Sequence, residues 1–428
     1  MVIILQSYEN GMNNIWELYG VKENPFSTSP LLVRGGTIPL ESFVGREEEV
    51  KRLKKIIGSI GGSRMLIYGD VGVGKTTFVN VVRATAIKNG FFTPFKEIAI
   101  QSEWDTDQFI INTLAAIYST INLIKEKPIK DETFQQLENL FKIGREEIAF
   151  GGNIAGIGMN YDKKTKSPSK PSTFILQQFF QILISEIYSN TNKDIIIHYN
   201  NLELMPEKKI RKTFNNLRDF FQTPKVHFIF VGNLSVYSTL QGIPRFSSIL
   251  SDTPINIQTL KFEEIKKILK IRFEKLNIDR LKYSIPYNED CLNSLFELFG
   301  GNIRNILNSL STAVLEVSGE RPIILDRYTL ADTLKSVLEK RYLSKLQPRA
   351  KEVLINAVKY DEITNKQLSK NTGIARPNIS LYLSHLRDAG CIYLRRKNGK
   401  DKFWTVEPKI KWMLLKEGKE NQNSISLY

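Results

Sequence analysis

Apolar residues in this chain of 428 residues fall into short unbroken runs separated by longer stretches of three-to-four-residue period. The runs at 65–68, 97–101, 195–199, 226–232 and 254–260 have the length and β-branched content of buried strands. Between them, 76–86, 107–124 and 173–188 carry apolar residues along one helical face. Strands alternating with helices predict an α/β fold with a mostly parallel sheet covered on both faces. The pattern changes beyond residue 343. Segments 348–359, 365–370 and 376–389 read as helices, the second capped by Thr364 and the third opened by Pro377. The turn between the last two is Asn371-Thr372-Gly373-Ile374. In the third helix Leu381, Leu383 and Leu386 are expected to face the core. Residues 392–406 then alternate on either side of Asn398-Gly399, the strongest short hairpin signal.

Composition narrows the classes. Hydrophobic content of 42% and charged content of 25% are ordinary for a globular protein. No apolar run reaches 18 residues, which excludes a spanning helix, and Val2-Ile3-Ile4-Leu5 is too short for a signal-peptide core. A cytoplasmic protein is expected. Cys291 and Cys391 sit in separate apolar segments, and His198, His227 and His385 are scattered, so no metal-ligand spacing exists. The net charge of +15 points to a polyanionic partner, nucleic acid or an anionic membrane face.

The most specific chemistry lies in Gly69-Asp70-Val71-Gly72-Val73-Gly74-Lys75-Thr76. It satisfies G-x-x-x-x-G-K-S/T in full, between an expected strand and an expected helix, which is the context a phosphate-binding loop requires. Backbone N–H groups of such a loop curl around a phosphate, and the helix N-terminus adds partial positive charge. Lys75 is placed to reach the β- and γ-phosphates, and Thr76 to put its hydroxyl on Mg²⁺. ATP or ADP with Mg²⁺ is the expected ligand, with Thr77 beside the loop.

Over roughly residues 16–340 the chain resembles the AAA+ class of P-loop ATPases. Phe43-Val44-Gly45-Arg46-Glu47-Glu48-Glu49 is similar to the box that precedes the loop in origin-recognition and helicase-loader ATPases, which implies Val44 in nucleotide binding. Leu18-Tyr19-Gly20-Val21-Lys22-Glu23-Asn24-Pro25-Phe26 is similar to the N-terminus of secretion- and transposition-associated members. The resemblance implies that Asn233, in Val231-Gly232-Asn233, is sensor 1 and that Arg245 is an arginine finger. It also implies that Arg304, in Gly300-Gly301-Asn302-Ile303-Arg304, is sensor 2. One departure matters. Where these families carry two acidic residues after the third strand, this chain reads Asn200-Asn201, followed by Leu202 and Glu203. Asn200 can bond a Mg²⁺-bound water but removes a charge, and Asn201 cannot polarise an attacking water as a carboxylate does. Glu203 keeps an acid nearby. Nucleotide binding is therefore expected, with ATP hydrolysis slow or lost.

Residues 146–170 hold a Gly-rich stretch and a Lys/Ser/Pro-rich run, expected as a hairpin with a mobile basic tip. The C-terminal pattern resembles a winged helix-turn-helix. Its third helix would put Arg376, Asn378, Ser380 and Tyr382 on base edges of duplex DNA, and its wing would set Arg396, Lys397, Lys400 and Lys402 on phosphates. Residues 361–412 hold eleven Lys/Arg against five Asp/Glu, an excess of 11 − 5 = +6. The expected domains are an N-terminal segment 1–42, an ATPase core 43–255, an all-α lid 256–342, a winged helix 343–412 and a flexible tail 413–428. The combination implies an ATP-switched DNA-binding protein of replication-initiator or helicase-loader type, forming homo-oligomers through the ATPase domain. The alternatives are a signalling or defence ATPase and a transposition-associated ATPase, each with nucleotide-gated oligomerisation.

Overall fold

β1 (Ser63–Tyr68), β2 (Ile98–Ala99), β3 (Ile195–Asn200), β4 (Val226–Gly232) and β5 (Ile255–Asn256) occupy the five apolar runs. They form a wholly parallel sheet in the order β2-β3-β4-β1-β5. β4 thus lies between β1 and β3, the additional-strand arrangement of P-loop ATPases. β3 and β4 are buried along their whole length, and both read as nearly continuous apolar runs because a central parallel strand is covered on both faces. The computed structural model describes residues 14–151, 172–278, 282–319, 321–398, 401–412 and 414. It separates into two compact units, Ser29–Arg272 and Met1–Thr28 with Phe273–Tyr428.

In the first unit, α1 (Glu47–Ser59), α2 (Lys75–Lys88), α3 (Thr106–Ile121), α4 (Asp131–Gly151), α5 (Thr173–Thr191), α6 (Glu207–Asn216) and α7 (Leu234–Gln241) surround the sheet. One face packs Phe109, Phe180, Phe214 and Phe221 against Tyr199, Phe228 and Phe230. The other packs Leu53, Phe78 and Val79 against Ile67, Ile196, Ile229 and Val231. The alternation of the strand residues between these two clusters fixes which side chains face α2, and so which can meet the loop. The hairpin expected from residue 146 does not begin there. α4 stays helical to Gly151, since a nucleated amphipathic helix extends until a breaker such as Gly151-Gly152. Residues 152–171 lie outside the described residues.

α8 (Phe262–Leu276) leads towards the second unit, where α9 (Glu289–Phe299), α10 (Ile303–Val317) and α11 (Arg327–Arg341) follow. Asn288, Asn302 and Asp326 cap these three by accepting from backbone N–H groups. Residues 14–28 belong to the same unit. Asn24 Nδ2 donates to Ser311 Oγ at 2.9 Å, and Phe26 meets Trp16 and Phe273 with ring centroids 5.6 and 5.7 Å apart.

The C-terminal elements are α12 (Pro348–Ala357), β6 (Ile363–Thr364), α13 (Asn365–Thr372), α14 (Arg376–Asp388), β7 (Ile392–Asn398) and β8 (Asp401–Val406). The strands form an antiparallel sheet in the order β6-β8-β7. Thr364 and Gln367 make a reciprocal capping box at α13, and Gly373, at φ 70°, ends it. Val353, Leu354, Leu368, Ile379, Leu383, Leu386 and Trp404 share one core. Leu381 corrects the expectation: it is 53% exposed. The buried stripe runs through 379, 383 and 386, and residue 381 sits about 200° round the helix from 379.

Candidate nucleotide site and nucleic-acid interface

The chain leaves β1 at Tyr68 and turns through glycines with φ of 88° at Gly72 and 95° at Gly74. Gly69 is required by close approach, because a Cβ there would collide with the Ile257 carbonyl oxygen beyond β5. Gly74 is the N-cap of α2 and supplies no side-chain cap, which leaves the first N–H groups of the helix to the loop. Lys75 is buried, and its ammonium donates to the carbonyl oxygens of Gly69 at 3.0 Å and Asp70 at 2.8 Å. Asp70 and Val71 are exposed at the tip, and Val73 is buried beneath it. Thr77 Oγ1 accepts from the Leu31 N–H at 3.3 Å, and Asn80 Nδ2 donates to the Leu31 carbonyl at 2.9 Å. The segment around residue 31 is thereby pinned to the first turns of α2. Val44 is buried.

Asn200 ends β3 directly opposite the loop. Its side chain meets the Thr76 hydroxyl, with Nδ2 at 3.0 Å and Oδ1 at 3.3 Å. The position of the absent carboxylate is thus held by an uncharged amide. Asn201 follows in the left-handed conformation, φ 62°, and opens a single turn over Leu202–Leu204. In that turn the Glu203 Oε2 is buried and accepts no hydrogen bond. An unbonded buried carboxylate oxygen is costly unless a donor or cation completes it. Asn233 ends β4 and caps α7, accepting from the Val236 N–H at 3.0 Å. Arg245 and Arg304 are exposed and make no side-chain hydrogen bond or ion pair among the described residues.

The sequence alone gives Arg46 no role. It is the N-cap of α1 at φ 64°, and its guanidinium donates to the Val73 carbonyl of the loop and to the Gln258 carbonyl, the latter at 3.1 Å. Burial lowers its pKa, against the raising influence of Glu264 and Glu49. Behind the loop, Arg83 is fully buried on α2 and donates to Asn80 Oδ1 at 2.8 Å, Thr93 Oγ1 at 3.0 Å and the Pro94 carbonyl. Burial pushes its pKa down to about 10. His198, two residues before Asn200, is buried beside it with both ring nitrogens unbonded, and burial followed by the Arg83 charge holds it well below the usual histidine range. Single side chains such as these leave no signature in a sequence, because their partners come from distant segments.

On the C-terminal elements, Arg376 and Asn378 are exposed at the start of α14, and neither side chain has a partner among the described residues. Ser380 differs: its hydroxyl donates to the Arg376 carbonyl at 3.1 Å and accepts from Asn365 Nδ2 at 2.8 Å. Asn365 in turn accepts from Trp404 Nε1 at 2.9 Å. Tyr382 is half-buried against the C-terminal core. Arg396 is paired with Glu362 at 2.8 Å and lies 3.7 Å over the Phe403 ring, while Arg395 reaches the same carboxylate at 3.3 Å. Lys402 is exposed. The Lys397 side chain and Lys400 lie outside the described residues.

The sheet order, the loop and the helix that follows it define a P-loop NTPase domain. Residues 46–236 match the family model of the KAP family P-loop domain, a span of less than half the chain. Among curated proteins, none matches the chain. Solved structures similar to it include the ORC2 protein of Aeropyrum pernix in its ADPNP–ADP complexes, 14% identical, with a TM-score of 0.49, covering 94% of this chain and 98% of that one. The ORC1 protein of the same organism in complex with DNA is 15% identical, with a TM-score of 0.45 and coverage of 95% and 97%. Cdc6p from Pyrobaculum aerophilum is 16% identical, with a TM-score of 0.44 and coverage of 93% and 98%.

Proposed function

We propose that this protein binds ATP with Mg²⁺ and uses the bound nucleotide to switch its action on duplex DNA, in the manner of a replication initiator or helicase loader. The observation that carries the nucleotide half is the Thr76–Asn200 contact at the mouth of a phosphate loop whose helix has no side-chain cap. The chain's own groups have distinct parts. Loop N–H groups and Lys75 hold the β- and γ-phosphates, Lys75 exchanging its carbonyl partners for phosphate oxygens. Thr76 Oγ1 and Asn200 Oδ1 are neutral oxygens suited to Mg²⁺ or to its water, so the phosphates must supply most of the charge the cation needs. When bound, Mg²⁺ neutralises the terminal phosphates. Glu203 is the candidate acid for orienting a water, and the loss of both acids at 200 and 201 makes hydrolysis slow. Asn233, Arg245 and Arg304 are assigned to nucleotide sensing by the order of motifs in which they stand.

Three exposed apolar side chains support self-association through this domain. Val71, Leu204 and Leu234 are 61%, 53% and 60% exposed, and they follow the C-terminal ends of β1, β3 and β4. For the DNA half, the C-terminal elements run in the order of a winged helix, with free Arg376 and Asn378 leading α14. Arg376 and Asn378 are assigned to base edges, and Lys397, Lys400 and Lys402 with Arg396 to phosphates. The test is titration of the full chain with ATP and with duplex DNA, each in the presence and absence of the other. Tight ATP binding together with DNA affinity that changes with nucleotide and falls steeply with salt is expected. ATP binding without any affinity for duplex DNA would leave the signalling ATPase as the better account.

A further inference from the structure

Resting on that proposed DNA contact, we infer that Leu381 reads the C5-methyl group of thymine in the major groove, and so sets a base preference at the centre of the site.

The inference comes from what α14 turns outward. Ile379, Leu383 and Leu386 are buried, and Leu381 stands on the opposite side at 53% exposed. Its neighbours one turn away are Pro377, Asn378, Ser384 and His385, all smaller or polar, so the isobutyl group protrudes. Ser380, one of its two hydroxyl-bearing neighbours, spends its hydroxyl on Arg376 and Asn365 within the protein, and the other, Tyr382, is half-buried against the core. The middle of the helix therefore offers a protruding apolar group beside a serine whose hydroxyl is already engaged.

A single exposed leucine is ordinary on a protein surface. Here the charges of the C-terminal elements choose the partner. Lys366 and Lys370 are exposed one turn apart on α13, Arg376 opens α14 and Lys402 lies on β8, none with a side-chain partner among the described residues. C-terminal elements that carry unpaired cations on α13, α14 and β8, together with one protruding apolar side chain on α14, fit a polyanion that itself presents an apolar group. Duplex DNA does so through the thymine methyl, which apolar side chains contact in the major groove. RNA does not fit, since uracil lacks the methyl and the A-form major groove is too narrow for side chains.

The experiment uses the full chain and a duplex selected for tightest binding, with each thymine replaced singly by deoxyuridine, which removes only the methyl. For the wild type, one thymine per site should lose about 4-fold in affinity on replacement, the worth of roughly 0.8 kcal/mol for one buried methyl. Leu381→Ala should bind thymine and deoxyuridine duplexes equally, while Leu381→Met keeps part of the preference. The paired Lys366→Ala and Lys370→Ala changes should weaken both duplexes alike. Circular dichroism checks that the exposed substitutions leave the fold intact. Duplex binding with no methyl-sensitive thymine, or with a preference that survives Leu381→Ala, overturns the inference and leaves DNA binding standing. A chain that binds no duplex at all overturns the DNA reading itself, and capture of single-stranded RNA in preference to duplex DNA would reassign the surface.

Discussion

The side chains of Asn200 and Thr76 hydrogen-bond across the mouth of the phosphate loop, with Nδ2 and Oγ1 3.0 Å apart. The geometry that normally joins a metal-binding carboxylate to the loop hydroxyl is intact here, and only the charge is missing. That separates the shape of the site from its charge.

Restoring the charge should therefore restore turnover. The wild type is expected to turn over well below about 1 s⁻¹, the low end of typical enzymes. Asn200→Asp combined with Asn201→Glu should raise the rate of phosphate release at least tenfold, because one acid charges the metal shell and the other polarises the water. Lys75→Ala should abolish ATP binding in calorimetry. A brisk wild type whose rate collapses in Glu203→Gln would instead make the Glu203 carboxylate the working acid.

Arg46 should brace the loop. Its guanidinium donates to two backbone carbonyls from a half-buried position, at a backbone φ of 64° that non-glycine residues adopt at a cost. Arg46→Ala keeps the backbone strain and loses the hydrogen bonds, so it should destabilise by about 1–3 kcal/mol. Arg46→Gly loses the same bonds but relieves the strain, and should be the milder change by about 1 kcal/mol. Chemical denaturation of both variants decides this; alanine proving the milder would show that the strain is not stored there.

Much of this was legible in advance for a physical reason. The central strands are legible because β3 and β4 are buried on both faces and so are apolar along nearly their whole length. The loop was read because its glycines answer a steric demand that no other residue meets. The places where the pattern misled are equally particular. Leu381 sits between Ile379 and Leu383, which do face the core, and composition cannot tell which side of a helix is buried when both carry leucine. Ser380 has the chemistry of a base reader, but Asn365, held by Trp404 from the far strand, claims its hydroxyl. Arg46 and Arg83 owe their roles to carbonyls brought close by folding, which periodicity does not record.

Stability should fall with acidification below neutrality. His227 Nδ1 lies 2.8 Å from Ser63 Oγ and Nε2 3.3 Å from Asp194 in a buried array, and burial followed by the Arg64 charge lowers its pKa to about 4. The unfolded chain titrates near 6.5, so between those values it binds more protons than the folded one. The contribution of neutral His227 is therefore complete above about pH 6.5 and is lost as pH falls towards 4, at about 3 kcal/mol in all. His198 is shifted in the same direction by burial and acts with the same sign. Asp194 is itself raised by burial, against the lowering influence of Lys225. Unfolding free energies measured from pH 7 to 4 should show this fall, and His227→Gln should flatten the slope near pH 5 by about one proton. A slope unchanged in that variant would assign the acid sensitivity to other groups.

The cations of the hairpin are partly spent on the protein itself, and freeing them should tighten DNA binding. Glu362 holds Arg395 at 3.3 Å and Arg396 at 2.8 Å, with Arg396 also resting on the Phe403 ring. Each arginine is more than half exposed, so each pair stabilises the fold by no more than about 1 kcal/mol. Glu362→Gln removes the competing carboxylate and keeps the shape. If Arg395 and Arg396 neutralise phosphates, the variant should bind duplex DNA more tightly at low salt. Its dependence of log affinity on log salt should steepen by up to about two units, close to 0.9 for each phosphate newly engaged. The gain should be the same for every sequence, since phosphate contacts carry no base information. Arg376→Ala should do the opposite, costing about 1–3 kcal/mol at one base position if it reads a guanine edge, while changing the salt slope by no more than about one unit. Equal affinity and slope for Glu362→Gln and wild type across 50–200 mM salt would mean that the hairpin does not meet the phosphate backbone, and the C-terminal elements would then be better read as a protein-contact module.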